Sequence, residues 1–274
     1  MPELPEVETI RRGLEQVLPG REIANVDVRY SGSIKKPTAK EFMAKLPGRR
    51  ILELGRRGKY LQFFLDDNSV LIIHLRMTGK LIFSHKPLAV DKHTHVIFTF
   101  TDQTTLHFND IRKFGTIYWL PVKRQCEIKG LACLGPEPLS EDFCTDYMAE
   151  ILAKKKSSIK AVLLNQEFVA GLGNIYADEA LFRAKIQPQR AAASITHKEA
   201  AALYTAICNV LQEAIDYRGT TMSDYRDATG AYGQFQQLLR VYRRSGKPCL
   251  VCGTPIERVV VAGRGTHYCP HCQK

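Results

Sequence analysis

Hydrophobic residues recur at two different periods along this chain, and the change of period divides it. Near the start, Val7, Ile10, Leu14, Val17 and Leu18 fall three or four residues apart. That spacing lays one apolar stripe along a helix, which the pair Pro19-Gly20 ends. From residue 22 to 121 the pattern shortens to brief β-branched and aromatic runs between turn residues such as Asp66-Asp67-Asn68 and Thr101-Asp102-Gln103. Strands are predicted at 23–30, 50–54, 60–65, 70–75, 80–83, 95–100, 105–108 and 115–120, with a helix at 38–46. Many short strands fit a sandwich or barrel.

Gly135-Pro136-Glu137-Pro138 marks a hinge, after which the texture turns helical. Helices are predicted at 140–152, with Ser140 as the cap, and at 159–164, 175–182 and 197–217. In the last, Ala200, Leu203, Ile207, Val210, Leu211, Ala214 and Ile215 keep close to helical spacing. The stretch 218–237 is polar and rich in Gly, Thr, Ser, Asp and Tyr, and loops this long are uncommon unless functional or disordered. No internal repeat or low-complexity stretch is visible. The expected organisation is an α+β, multidomain chain with blocks at 1–134, 135–239 and 240–274.

The last block changes the picture most. Cys249-Leu-Val-Cys252 and Cys269-Pro-His-Cys272 are sixteen residues apart, the spacing of a four-thiolate zinc site. The segment between them reads as two short strands around a glycine-flanked turn, a hairpin with Arg264 at its tip. Four protein ligands leave no open position, so the expected Zn2+ is structural; His267 and His271 are not needed in its shell. A pair of disulfides is the competing reading. Cys126, Cys133, Cys144 and Cys208 show no paired spacing and no secretory signal is seen. A cytoplasmic location is therefore expected, where disulfides are rare.

Charge then narrows the partner. The 274 residues carry 39 Lys+Arg against 28 Asp+Glu, a formal net charge of +11, which suits a polyanion. No long apolar run or basic amphipathic tail favours a membrane, and 45% hydrophobic residues suffice for a sizeable core.

Three short segments carry candidate chemistry. Proline after Met1 favours methionine removal, which would leave the Pro2 nitrogen as a free secondary amine beside the Glu3 carboxylate. An α-amine titrates near about 7.7–8.0, so much of it is unprotonated at neutral pH and can attack an electrophilic carbon to form an iminium. The plainer reading is that Pro2 and Pro5 start a helix. Arg56-Arg57-Gly58-Lys59-Tyr60 is either an anion site or a solvated charged turn. Gly171-Leu172-Gly173-Asn174 precedes a helix, where backbone N–H groups can hold a phosphate; an ordinary cap is the alternative.

Taken in order, Met1-Pro-Glu-Leu-Pro-Glu-Val-Glu-Thr9, Arg57-Gly-Lys-Tyr60, His74-Leu-Arg-Met-Thr-Gly79, Asp110-Ile-Arg-Lys-Phe-Gly115, Gly171-Leu-Gly-Asn-Ile-Tyr176 and the cysteine hairpin resemble the bacterial formamidopyrimidine-DNA glycosylases along the whole chain. The resemblance implies an N-terminal β-sandwich, a helix–two-turn–helix domain and a zinc finger. It implies a glycosylase/AP lyase that removes 8-oxoguanine and ring-opened purines from double-stranded DNA, with one structural zinc and no organic cofactor.

The same resemblance assigns residues. Pro2 is the nucleophile at C1′, Glu3 the proton-shuttling carboxylate, Glu6 a second polar group of the pocket, and Lys59 a phosphate-holding lysine that assists catalysis. Arg264 joins both the catalytic and the DNA-binding sets. His74, Gly173, Asn174 and Tyr242 are further expected DNA contacts. Met77, Arg112 and Phe114 would fill the hole left by the flipped base, Met as a pliant plug and Arg112 against the orphaned cytosine. Residues 218–237 align with the loop that closes over the lesion. Asn165 stands where aspartate is expected, and Thr78 where relatives carry glutamate, so no lesion-reading role passes to Thr78. A monomer associated with the bacterial nucleoid is expected. Two other readings stay open: an endonuclease VIII-like glycosylase for oxidised pyrimidines, and a non-catalytic DNA-binding protein on the same scaffold.

Overall fold

The computed structural model describes residues 1–86, 88–221, 225 and 230–274. Part of the expected lesion-closing loop, residues 222–224 and 226–229, lies outside the described residues. The chain forms two compact units, Met1–Ala132 with Tyr217–Gln234, and Cys133–Asp216 with Phe235–Lys274.

The first unit opens with α1 (Leu4–Glu15), followed by β1 (Ile23–Val28), β2 (Ile34–Lys36), α2 (Ala39–Lys45), β3 (Ile51–Arg57), β4 (Tyr60–Leu65), β5 (Ser69–His74), β6 (Gly79–Ser84), β7 (Thr94–Phe100), β8 (Thr105–Asp110), β9 (Thr116–Pro121) and α3 (Lys129–Ala132). Two sheets result, one in the order β1-β7-β8-β6 and one in the order β2-β9-β5-β4-β3. Strand β5 is buried throughout, as its uninterrupted Val70-Leu71-Ile72-Ile73 run requires of a strand in mid-sheet. Phe63, Phe98, Phe100 and Phe108 meet Val7, Ile10 and Leu14 of α1 in one core. Each such side chain contributes roughly 1.5–3 kcal/mol by leaving water.

Eight of the nine strands answer to the predicted runs. The ninth, β2, is too short and too charged to read: Ile34-Lys35-Lys36 pairs parallel to β9 at the sheet edge, where lysines are tolerated and block further pairing. Helix α2 starts one residue inside its predicted span because Thr38 caps it, its hydroxyl accepting from the Glu41 N–H.

The second unit contains α4 (Thr145–Ala153), α5 (Ile159–Leu164), α6 (Asn174–Arg183), α7 (His197–Asp216), β10 (Glu257–Val261) and β11 (Arg264–Tyr268). Helix α4 begins after Cys144, not at Ser140. The Ser140 hydroxyl instead donates to the Glu137 carbonyl, and the Phe143 N–H to that of Ser140, so 140–143 forms a turn. Among the described residues no helix is long and apolar enough to cross a membrane.

The compact units depart from the sequence blocks in two ways, the first being that 240–274 groups with the helical residues and does not stand alone. Second, the loop expected within 135–239 groups over Tyr217–Gln234 with the sandwich. The Thr220 N–H donates to Glu6 Oε1 at 2.7 Å, and Tyr225 lies in the sandwich core.

Helix α6 organises the second unit. It is buried from Ile175 to Phe182, including two adjacent acids, Asp178 and Glu179. Asp178 receives the ammonium of Lys160 at 2.5 Å and the backbone N–H of His267 at 2.9 Å, and Lys160 also donates to the Thr266 hydroxyl at 2.7 Å. Lys160 and Asp178 are both fully buried. Removing one partner strands the other charge in a dry interior. Asp178→Ala should therefore destabilise this unit by about 3–5 kcal/mol in urea unfolding, with four thiolates still able to take up zinc.

Candidate active site

Pro2 is buried at the very start of α1. Glu3 is the N-cap residue of that helix and forms a reciprocal capping box with Glu6. The Glu3 N–H donates to Glu6 Oε2 at 2.7 Å, while Glu6 Oε1 takes the Thr220 N–H and the Tyr225 hydroxyl reaches the Glu6 carbonyl at 3.4 Å. Glu6 thus joins two backbone segments more than two hundred residues apart. Both carboxylates lie in the first turn, where the helix dipole favours negative charge.

One turn further on, Glu8 accepts from Arg11, Arg12 and Arg56. Burial alone would push its carboxyl up, but the three guanidinium groups outweigh that and bring it down to about 2. Arg56 spends another N–H on the Gly58 carbonyl at 3.0 Å. The β3–β4 turn that presents Lys59 is thereby fastened to α1. Gly58 sits at φ +55° in that turn, a conformation that costs glycine little.

Lys59 is buried, and the neighbouring Tyr60 pairs in register with His74 at the end of β5. The two rings meet edge to face, 4.5 Å between centroids. Burial first, then the charges of Arg76 and Lys59, lower His74 to about 3, so the ring is neutral. Its Nδ1 accepts from the Arg76 N–H at 2.9 Å, which leaves the proton on Nε2 as a neutral donor.

Met77, Arg112 and Phe114 come from two loops and are brought together. Arg112 reaches the Met77 sulfur at 2.9 Å and lies 4.8 Å from the Phe114 ring centroid. Met77 is 41% and Phe114 52% exposed. Beneath them Asp110, 1% exposed, ties the loops to each other. Its Oδ1 accepts from the Thr78 hydroxyl at 2.5 Å and the Arg112 N–H at 3.2 Å, and its Oδ2 from the Gly115 N–H at 2.7 Å. A β-carbon at Gly115 would lie 2.4 Å from Phe108 Cζ, so no larger residue fits there.

In the second unit, Gly173 is the N-cap residue of α6. Gln166 holds the loop before it, accepting from the Gly171 N–H at 3.0 Å and donating to the Leu172 carbonyl at 2.8 Å. Asn174 Nδ2 donates to the Gly265 carbonyl at 3.0 Å, which places the helix start against Arg264, the first residue of β11. Ala262 and Gly263 form the two-residue turn, both at positive φ, as a tight hairpin demands. Glu179 accepts the N–H groups of Arg240, Val241 and Tyr242 at 2.9–3.1 Å. Burial pushes its carboxyl up, and those three donors pull against that. Tyr242 packs edge to face on His267 at 5.2 Å.

The sulfurs of Cys249, Cys252, Cys269 and Cys272 all lie within 4.8 Å of one another. Two separations are 4.0 Å, Cys249 to Cys272, and 3.5 Å, Cys252 to Cys269. Tetrahedral zinc with Zn–S near about 2.3 Å needs sulfurs about 3.8 Å apart, so the four thiolates fit one structural Zn2+. Sequence reasoning missed Thr220, Asp110, Asp178 and Glu179 as organising groups. Only Asp110 had a signal, standing inside a short polar–glycine motif.

Sandwich, helical segment and four-cysteine hairpin on one basic chain are the make-up of a nucleic-acid-binding class of protein. Comparison gives the family. The formamidopyrimidine-DNA glycosylase N-terminal domain matches residues 1–117, the H2TH domain of the same glycosylases residues 134–226, and the zinc finger found in FPG and IleRS residues 246–274. A formamidopyrimidine-DNA glycosylase of Pelotomaculum thermopropionicum is 47% identical over 274 residues, covering 100% of this chain and 99% of its own. A mutant Lactococcus lactis FPG in complex with Fapy-dG-containing DNA superposes with a TM-score of 0.94 at 38% identity, covering 100% of both chains. A MutM in complex with carbocyclic 8-oxo-G-containing DNA gives 0.92 at 38%, again with 100% of both chains covered. The chain belongs to the formamidopyrimidine-DNA glycosylase family.

Two buried groups of the first unit with depressed values, His74 and Glu8, help set an acid limit. Both bind protons more readily unfolded than folded, so stability falls with pH. For His74 the fall runs from about 6.5 towards 3, and for Glu8 from about 4.5 towards 2. In His74→Gln, the decline in urea midpoint between pH 6.5 and 4.5 should shrink, leaving the part due to His107, whose burial lowers it the same way, and the onset of carboxylates such as Glu8 and Glu127. An unchanged decline would contradict the neutral, buried ring.

Proposed function

We infer that this protein is a bifunctional DNA glycosylase/AP lyase of base excision repair that removes oxidised purines, 8-oxoguanine and formamidopyrimidines, from double-stranded DNA. The observation that carries this reading is the full-length match to formamidopyrimidine-DNA glycosylases, with a proline, two carboxylates and a lysine present at the expected positions. It acts in the bacterial cytoplasm on the nucleoid, as a monomer. Residues 1–134 supply catalysis, 135–239 the helical DNA-binding part and 240–274 the zinc finger.

The chemistry follows from the amine. After loss of Met1, the Pro2 nitrogen attacks C1′ of the damaged nucleotide. The glycosidic bond breaks and the base leaves with its electron pair, taking up a proton. Glu3 protonates the sugar ring oxygen as the ring opens to an iminium. The iminium acidifies C2′, whose proton is removed as the C3′–O bond breaks, and a second elimination breaks the C5′–O bond. Water then adds to the iminium carbon and the C–N bond breaks, freeing Pro2 and an unsaturated aldehyde, so one amine serves both excision and strand cleavage. Glu6 keeps the first turn and Thr220 in place around the reacting centre. Lys59 and neutral His74 hold phosphates flanking the lesion, one by charge and one by its Nε2 proton. Gly173, Asn174, Tyr242 and Arg264 bind further phosphates, and Arg264 also assists catalysis. Met77, Phe114 and Arg112 occupy the gap left by the flipped base. When bound by the four cysteines, zinc supplies hairpin stability and no reacting group.

Pro2→Gly should abolish borohydride trapping on an 8-oxoguanine:cytosine duplex while keeping much of the DNA affinity, which phosphate contacts dominate. Unaltered excision would remove Pro2 from its role. Glu3→Gln should slow excision by roughly 10²–10⁴-fold with trapping still mapped to Pro2. Faster excision of oxidised thymine than of 8-oxoguanine would move the protein to the endonuclease VIII-like class. Arg264→Ala should weaken binding to all duplexes alike and lower the salt slope by about 1; a loss confined to one base context would contradict a phosphate contact.

A further inference from the structure

The C-terminal end of α6 carries a cleft of about 330 Å³ that this chemistry does not use. Its apolar wall is Phe182 and Val251, the latter 67% exposed with Leu250 beside it at 57%. Arg183, Lys185 and Arg240 surround it, with Glu213 as the one carboxylate and the zinc ligand Cys272 completing the lining. Glu213 holds Arg183 through two contacts of 2.8 Å and also feels the charge of Arg240, so one carboxylate faces three cations. Lys185 and Arg240 are exposed and form no ion pair among the described residues.

The cleft lies at the other end of α6 from Gly173, Asn174 and Arg264, and meets the proposed DNA contacts only through Arg240, two residues before Tyr242. Gly173, Asn174 and Arg264 gather at the helix start, whereas Arg183 is nine residues on, about 14 Å along the axis. Lys185 also stands at a backbone cost. It occupies φ +60° just past the helix C-cap Ala184, the place where glycine is favoured.

We propose that this cleft docks an acidic peptide segment of a partner protein, one bulky apolar side chain seated against Phe182 and Val251 and its carboxylates on Lys185 and Arg240. A peptide fits better than a phosphate backbone because the wall is apolar and, at Val251, open to a partner's side chain. A duplex backbone matches the charge but offers nothing to fill that wall.

The test uses the zinc-loaded full chain and a fluorescein-labelled peptide of aspartates around one central phenylalanine, read by anisotropy with saturating duplex DNA present. Binding should persist beside the DNA. It should weaken about tenfold or more, some 1.4 kcal/mol, with Lys185→Glu, and also when the peptide phenylalanine becomes serine. Lys185→Gly should weaken it while raising the unfolding midpoint, which separates a lost contact from a lost fold. Excision of 8-oxoguanine by Lys185→Glu should stay at the wild-type rate, so the glycosylase reading is judged independently. Failure to bind, displacement of the peptide by duplex, or indifference to both Lys185 variants overturns the proposal. Reduced DNA affinity in Lys185→Glu with unchanged peptide binding assigns the cleft to nucleic acid instead.

Discussion

A carboxylate can be taken out of water only if enough N–H or O–H donors meet it, and this protein uses that rule repeatedly. Glu6 collects the N–H groups of Glu3 and Thr220. Asp110 collects those of Arg112 and Gly115 with the Thr78 hydroxyl. Asp178 takes the His267 N–H and the Lys160 ammonium, and Glu179 three consecutive N–H groups. Each acid joins segments that are distant in the chain, and each lies beside a group proposed to act on DNA: Pro2 and Glu3, the Met77–Arg112–Phe114 cluster, Arg264, and Tyr242. The functional side chains are placed by what lies beneath them.

This arrangement divides labour between buried and exposed residues. Fixed hydrogen bonds hold the backbone at each site, so the side chain facing DNA is not needed for its own support. Arg112 illustrates the point. Its N–H belongs to the Asp110 network, while its guanidinium rests on Met77 and Phe114, both of which water reaches. Such a guanidinium can exchange protein partners for a base edge at little cost. A carboxylate at the same place would repel the polyanion.

The sequence shows elements wherever one side-chain period dominates. The Val7–Leu14 stripe and the helical spacing of α7 each bury a face, the unbroken β5 run is buried throughout, and the burial is written into their patterns. The hairpin is equally plain, because two Cys-x-x-Cys pairs admit few alternatives. What stays hidden depends on pairings between distant segments. Strand β2 is defined only by β9 beside it. The turn at Ser140 was hidden because serine suits a cap and a turn equally. Asp178 and Glu179 look like ordinary solvent-facing helix acids until β11 and residues 240–242 fold over them. Pro2 is a limiting case: the residue is obvious, but no local pattern distinguishes a nucleophile from a helix starter.

The hairpin shows why a small module needs more than its metal. Its buried apolar cluster is Val241, Cys249, Ile256 and Cys269, together with Phe182 contributed by α6. A core this small cannot offset the ordering of its own backbone. Zinc binding supplies folding free energy, but a tetrahedral ion fixes only the cysteine end of the hairpin. The opposite end, with Arg264, is oriented through β11, where Asp178 grips the His267 N–H and Asn174 the Gly265 carbonyl. Metal and helix therefore act on different ends of one lever. Loss of zinc would unfold the module, whereas loss of Asp178 would leave it folded and Arg264 misdirected, and only the second defect would spare zinc content while weakening DNA binding.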